Sequence, residues 1–103
     1  MTNWRNLLVE QLETISNVRV GYWKDTDLLC VFHNDKEIAH FQNDIEIDIR
    51  LTPKIIKQRG LHPPEGTTSH PNRSKNSRWL VQSFADAEKI SEVVVLIRLA
   101  VEL

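Results

Sequence analysis

The chain has 103 residues, a formal net charge of −1, 41% hydrophobic residues and 26% charged residues. These values are typical of one soluble globular domain, expected over residues 1–103, and exclude a disordered tail, a collagen and a disulfide scaffold. Because Cys30 is the single cysteine, an intramolecular disulfide and a cysteine-based zinc site are excluded too. Cys30 lies in the apolar run 28–32, so we expect a buried, inert thiol rather than a nucleophile.

Charge is unevenly spread along the chain. The net charge is −4 over residues 1–51, +5 over residues 52–82 and −2 over residues 83–103. The middle third is therefore where an anionic partner would meet a favourable local field. The first residues lack the apolar core of a signal peptide, and the longest apolar stretch, 93–97, is far shorter than the ~20 residues of a membrane span. We expect a cytoplasmic protein that makes no membrane contact.

The first half of the chain predicts one helix and four strands. Apolar residues recur at helical spacing over residues 3–15, with Thr2 as the expected N-cap. The expected strands cover residues 18–23, 28–33, 37–41 and 45–51, separated by short polar turns. Residues 45–51 alternate four apolar with three charged side chains, so we expect Asp48 and its charged neighbours to face water. Such close spacing favours antiparallel hairpins in a meander.

The second half predicts two helices around a fifth strand. The expected elements are a short helix starting at Pro53, a strand over residues 78–84 and a helix over residues 86–102. Thr52 is the expected N-cap of the short helix, and Gly60 is expected to end it. Ser83 with Asp86 resembles a capping box. Residues 61–77 show no periodicity, and a loop of this length is often functional.

The predicted order of elements is α-β-β-β-β-α-β-α. One-sided strands with helices at both ends indicate an α+β fold, with a mainly antiparallel, twisted sheet and the helices packed on one face. On the final helix, Val95, Leu96 and Leu99 fall within the arc of its charged residues. They are either covered by another element of this chain or form a homodimer interface, and the pattern leaves both open.

Histidines provide one candidate for chemistry. His40 lies on the third predicted strand and His70 in the long loop, so the two converge with Asp48 only if the loop folds over the polar face of the sheet. Such a cluster would supply the acid and base of a hydrolase or nuclease. The alternative is that these groups are hydrogen-bonded structural or surface side chains. No HxxxH or HExxH spacing occurs, so we expect no metal site.

A second candidate is the set of cations in and around the long loop. Its members are Lys54, Lys57, Arg59, Arg73, Lys75 and Arg78, with Trp79 beside the last of them. Arginine and an indole can hold a phosphate, and the start of the preceding helix would add donors. We predict a small anionic ligand under the 61–77 loop. The residues expected to bind it are Arg50, Thr52, Arg73, Arg78 and Trp79. Nucleic acid is not an expected partner because the net charge is not positive, and no motif predicts a cofactor.

From residue 37 onward, the sequence resembles the small luciferase domain family of uncharacterised bacterial proteins. The pieces that carry the resemblance are Ile38-Ala39-His40-Phe41, residues 47–56, His70-Pro71, residues 77–81 and the acidic-apolar final helix. The resemblance implies a small α+β domain with a shared pattern made of His40, Leu51, Thr52, His70, Pro71 and Trp79. It implies no established reaction or cofactor, and no light emission. Many members carry a glycine before the matching tryptophan, where this chain has Arg78.

The leading hypothesis is a small cytoplasmic binding or regulatory module with a site for an anion. The first alternative is a hydrolase or nuclease that uses His40 and His70 as acid and base. The second is a homodimeric structural or partner-binding protein that acts through the apolar residues of its last helix.

Overall fold

The computed structural model describes residues 3–62 and 77–103. Its elements in chain order are α1 (Trp4–Leu12), β1 (Val18–Tyr22), β2 (Leu29–His33), β3 (Lys36–Phe41), β4 (Glu46–Arg50), α2 (Pro53–Gln58), β5 (Trp79–Ser83) and α3 (Ala87–Val101). This is the predicted order. No helix in the two described ranges is long and apolar enough to cross a membrane.

The five strands form one antiparallel sheet in the order β1-β2-β3-β4-β5. Each strand pairs with the next one along the chain, so the predicted meander is confirmed. The β2–β3 turn shows how the local sequence sets this topology. Asn34 and Asp35 have φ angles of 51° and 66°, and two consecutive left-handed residues are what a tight hairpin turn requires.

The core lies between one face of the sheet and the pair α1 and α3, which contact the sheet and each other. Its most deeply buried members include Leu8, Leu12, Val31, Ala39, Ile47, Ile49, Phe84, Val93 and Ile97. Phe41 and Phe84 meet edge to face across 5.6 Å between ring centroids. The predicted α+β fold with helices on one face of the sheet is therefore confirmed.

Two of the predicted N-terminal caps are wrong. The N-cap of α1 is Asn3, whose side chain accepts a hydrogen bond from the backbone three residues on; Thr2 lies outside the described residues. The N-cap of α3 is Asp86, so Asp86 does not close a capping box with Ser83, which is the last residue of β5. Asp86 is itself a strong acceptor for free backbone N–H groups, and the helix therefore begins after it.

The start and end of α2 agree with the prediction. Thr52 is the N-cap, and its Oγ1 accepts a hydrogen bond from the backbone N–H of Ile55 at 3.1 Å. Gly60 follows the C-cap with a φ of 60°, a conformation that glycine adopts without strain. The helix is only six residues long and has no fully buried residue.

The apolar residues in the charged arc of α3 have different environments. Leu96 is buried in the core, and Leu99 is partly buried against it. Cover by the same chain therefore accounts for these two residues. Val95 is 45% exposed. The homodimer stays a prediction, and Leu96 is already buried within a single chain.

Candidate functional site

The sheet face opposite α1 and α3 carries a row of paired residues, one from each strand. Cys30 in β2 pairs with His40 in β3, and His40 pairs with Asp48 in β4. Directly paired residues place their side chains side by side on the same face. The row continues to Gly21 in β1 and ends at Val81 in β5. A thiol, an imidazole and a carboxylate are thus neighbours in the middle of the sheet.

His40 and Asp48 form a close, buried pair. The Nε2 atom of His40 lies 3.3 Å from Oδ2 of Asp48, and the Asp48 side chain is completely buried. The indole of Trp79 covers the imidazole, with 5.2 Å between ring centroids. The expectation that Asp48 faces water is therefore wrong. Its strand lies between β3 and β5, and the side chains of neighbouring strands shield this face as well as the core face.

A β-bulge in β3 brings Glu37 to the same face. The register between β2 and β3 shifts between Val31 and Phe32, which leaves Ile38 as the extra residue. Residues three apart in a regular strand lie on opposite faces, but one extra residue restores Glu37 and His40 to the same face. Glu37 Oε2 lies 3.9 Å from Nδ1 of His40. The imidazole is thus flanked by two carboxylates.

Cys30 is held by Glu37. Its Sγ lies 3.0 Å from Oε2 of Glu37 and donates to that oxygen, and the side chain is fully buried. Burial, and then the hydrogen bond and negative charge of Glu37, raises the pKa of Cys30 from 9.0 to about 12. The thiol therefore keeps its proton at neutral pH, where a nucleophile would need the thiolate. The prediction of a buried thiol is confirmed.

Both ring nitrogens of His40 face protein groups. Nε2 faces Asp48, while Nδ1 is buried beside Glu37 with no hydrogen-bond partner in the described part of the chain. A general acid or base must reach a substrate proton. This geometry therefore suits a structural role for His40 better than proton transfer. The predicted partner His70 lies outside the described residues. Within residues 3–62 and 77–103, no three His, Cys, Asp or Glu side chains are placed to hold a metal ion.

The β1–β2 side of this face is closed by its own side chains. Trp23 stacks on Phe32 with 6.2 Å between centroids and 18° between planes. The guanidinium of Arg19 lies 4.5 Å from the centroid of the Phe32 ring. Phe32 is consequently buried.

A cavity of about 340 Å³ opens near the end of β4 and the start of β5. The residues that line it are Lys36, Arg50, Leu51, Thr52, Arg78 and Leu103. Three of these described residues have cationic side chains, and none has an acidic side chain. Lys36, Arg50 and Arg78 form no ion pair with any carboxylate of the described ranges. Within the described residues, the cavity is therefore lined by positive charge that no ion pair neutralises.

This cavity brings together three of the residues predicted to bind an anion, namely Arg50, Thr52 and Arg78. Trp79 pairs with Arg50 across β4 and β5 but packs on the histidine instead of lining the cavity. Arg73 lies outside the described residues. Sequence reasoning missed Lys36, because a lysine at the start of a strand gives no sign of which distant segments lie near it.

The other predicted cations do not join this cavity. Lys54 and Lys57 line a separate groove along α2, and Arg59 lines a cavity beside α3. The backbone donors expected from the α2 N-terminus are also partly used, since Thr52 accepts from the N–H groups of Ile55 and Ile56. The described cations of residues 52–82 are thus divided among three surfaces, and among them Arg78 lines the cavity with Arg50 and Lys36.

Comparison with known proteins identifies the family. A search of curated proteins and a search of solved structures each gave no significant match. A protein-family model described as Luciferase domain matches residues 35–100. The matched segment covers well over half of the chain and contains both the His40–Asp48 pair and the two arginines of the cavity. The chain therefore belongs to the Luciferase domain family.

Proposed function

We propose that the protein is a small binding module for an anionic ligand, and that the ligand binds in the cavity lined by Lys36, Arg50, Thr52 and Arg78. The observation that carries the proposal is the convergence of three cationic side chains on one cavity, with no acidic side chain among the described residues that line it. Like charges brought together raise the free energy of the folded state unless an opposite charge joins them. A bound anion removes that repulsion.

The chemistry of the lining indicates the class of ligand. Each guanidinium offers parallel N–H donors that match two oxygens of a phosphate or a carboxylate, and Lys36 adds a compact positive charge. The Thr52 hydroxyl oxygen accepts the capping bond from Ile55, so its O–H is available to donate. The volume of about 340 Å³ lies at the small end of ligand sites. A small phosphorylated or carboxylated molecule meets these conditions.

The buried pair next to the cavity gives the site a rigid base. The His40–Asp48 contact joins β3 to β4, the strand that ends at Arg50. Trp79 packs on His40 and is the cross-strand partner of Arg50. The strand position of Arg50 is therefore held by contacts on both sides. This lowers the conformational entropy that is lost when its guanidinium binds an anion.

Inorganic phosphate is the first probe of this proposal, added at constant ionic strength because salt screens surface charge. A ligand that binds only the folded state raises the melting temperature, so we expect phosphate to stabilise the wild type. Arg50→Ala and Arg78→Ala should each weaken binding about tenfold or more, the value of a hydrogen bond between charged groups. Arg98→Ala, at an exposed position of α3 outside the cavity, is the matched control. Equal loss in all three variants, or no stabilisation of the wild type, would contradict the proposal.

A hydrolase or nuclease is the second candidate, and the observation that favours it is the carboxylate–imidazole pair. An imidazole oriented by a carboxylate is a common acid–base device. The discriminating measurement is turnover of a phosphate mono- or diester by wild type and His40→Ala. An enzyme of this kind would lose turnover while keeping its stability, whereas a structural pair would lose stability.

A further inference from the structure

The carboxylate of Glu37 belongs to a residue that adjoins the cationic cavity in sequence but is not among its described lining residues. Glu37 follows Lys36 directly. It lies with Arg50 on the sheet face opposite α1 and α3. Because Ala39 pairs with Ile49, the residues that precede Ala39 in β3 run alongside those that follow Ile49 in β4. An ion pair between neighbouring strands is a common cross-strand contact. Glu37 forms none with Arg50; its carboxylate turns towards the thiol of Cys30 instead.

We propose that Cys30 is a positioning residue for the anion site: by donating its S–H to Glu37, it holds that carboxylate away from Arg50 and keeps the cavity cationic. The inference rests on the proposed function. Two contacts fix Glu37 in this position, the 3.0 Å hydrogen bond from Sγ and the 3.9 Å approach to Nδ1 of His40. Because the buried thiol keeps its proton at neutral pH, the donor persists under ordinary conditions.

Without the thiol, the Glu37 carboxylate loses the one side-chain hydrogen bond that it accepts within the described residues, and it becomes free to turn towards Arg50. It would then neutralise part of the cavity and compete with the ligand. In that variant the ligand must break the Glu37–Arg50 ion pair before it binds. Because an exposed ion pair is weak, we expect the affinity to fall about twofold to fivefold. A serine at position 30 keeps an O–H donor at the same place and should keep the carboxylate in place.

The test is a set of phosphate titrations by calorimetry on the wild type, Cys30→Ala, Cys30→Ser, Glu37→Gln and the double variant Cys30→Ala with Glu37→Gln. We expect Cys30→Ala to bind phosphate about twofold to fivefold more weakly, and Cys30→Ser to bind like the wild type. The double variant should regain wild-type affinity, because Gln has no charge to offer Arg50. Cys30→Val, which fills the buried space but has no donor, should repeat the effect of Ala and serves if Ala fails to fold.

The outcomes separate the two proposals. A wild type that does not bind phosphate overturns the proposed function, and the role of Cys30 falls with it. A wild type that binds, with Cys30→Ala or Cys30→Val equal to it, overturns the positioning role alone. Weak binding by Cys30→Ala that Glu37→Gln does not restore also overturns it, because the loss then comes from packing.

Discussion

Replacing His40 by alanine should destabilise the fold. The side chain is 18% exposed, its Nε2 lies 3.3 Å from a completely buried carboxylate, and the Trp79 ring lies over it at 5.2 Å. Alanine removes both contacts and leaves Asp48 buried with one partner fewer. A buried group that loses a partner costs more than the net value of the contact, because its desolvation is no longer compensated.

The expected loss can be assembled from these two contacts. Removing one partner of a buried polar group costs ~1–3 kcal/mol, and losing a ring-to-ring contact adds ~0.5–1.5 kcal/mol. Together they give a decrease of about 2–4 kcal/mol in the free energy of unfolding. In a domain of this size each 1 kcal/mol shifts the melting temperature by roughly 4–8 °C. The decrease should therefore be at least about 8 °C.

Urea denaturation followed by circular dichroism measures this change, with thermal melting as the second readout. The matched control is His62→Ala, because His62 is exposed and a surface substitution should stay within about 0.5 kcal/mol. If His40→Ala proves as stable as this control, the contact with Asp48 contributes nothing to the fold. The acid–base role of His40 would then become the better explanation of the pair.

Three further predictions concern two side chains, Cys30 and Asp86. Cys30 should resist iodoacetamide in the native protein at pH 8 and react once the chain is denatured, since its folded pKa is about 12. Because folding raises this pKa, the contribution of Cys30 to stability is complete below pH 9.0 and is lost as the pH rises towards about 12. The free energy of unfolding of a Cys30→Ser variant, measured by urea denaturation, should lack that part of the pH dependence. Asp86→Ala should cost about 1 kcal/mol by removing the N-cap of α3. Glu88→Ala, exposed in the first turn of the same helix, should cost less in the same urea experiment, and equal losses would contradict the capping role.

Much of the fold could be predicted because its signals are local. The alternation over residues 45–51 identifies a strand, and Thr52 with Gly60 marks both ends of the short helix that follows. Turn residues such as Asn34 and Asp35 favour a hairpin without reference to the rest of the chain. Antiparallel order then follows from the short connections. Each of these features involves residues within a few positions of one another.

The site depends on contacts that local patterns do not encode. The alternation of apolar and charged residues shows that Asp48 points away from the core. Whether the opposite face of the sheet is exposed to solvent depends on the side chains of the neighbouring strands. His40 and Trp79 supply the cover from strands that lie 8 and 31 positions away in the chain. Lys36 joins Arg50 and Arg78 in the same way, through the meeting of three distant segments.

The bulge in β3 is the decisive feature, and the sequence carries one indirect sign of it. In a regular strand Glu37 would share a face with Ala39 and Phe41, which are both buried in the core. A lone carboxylate there would pay a large desolvation penalty. The extra residue Ile38 avoids that penalty, since it packs in the core beside Ala39 and turns Glu37 to the open face. A charged residue out of phase with the apolar residues after it thus indicates a bulge. The same bulge brings the Glu37 carboxylate into contact with Cys30 and His40. One extra residue therefore keeps a charge out of the core and also completes the group of polar side chains on the opposite face of the sheet.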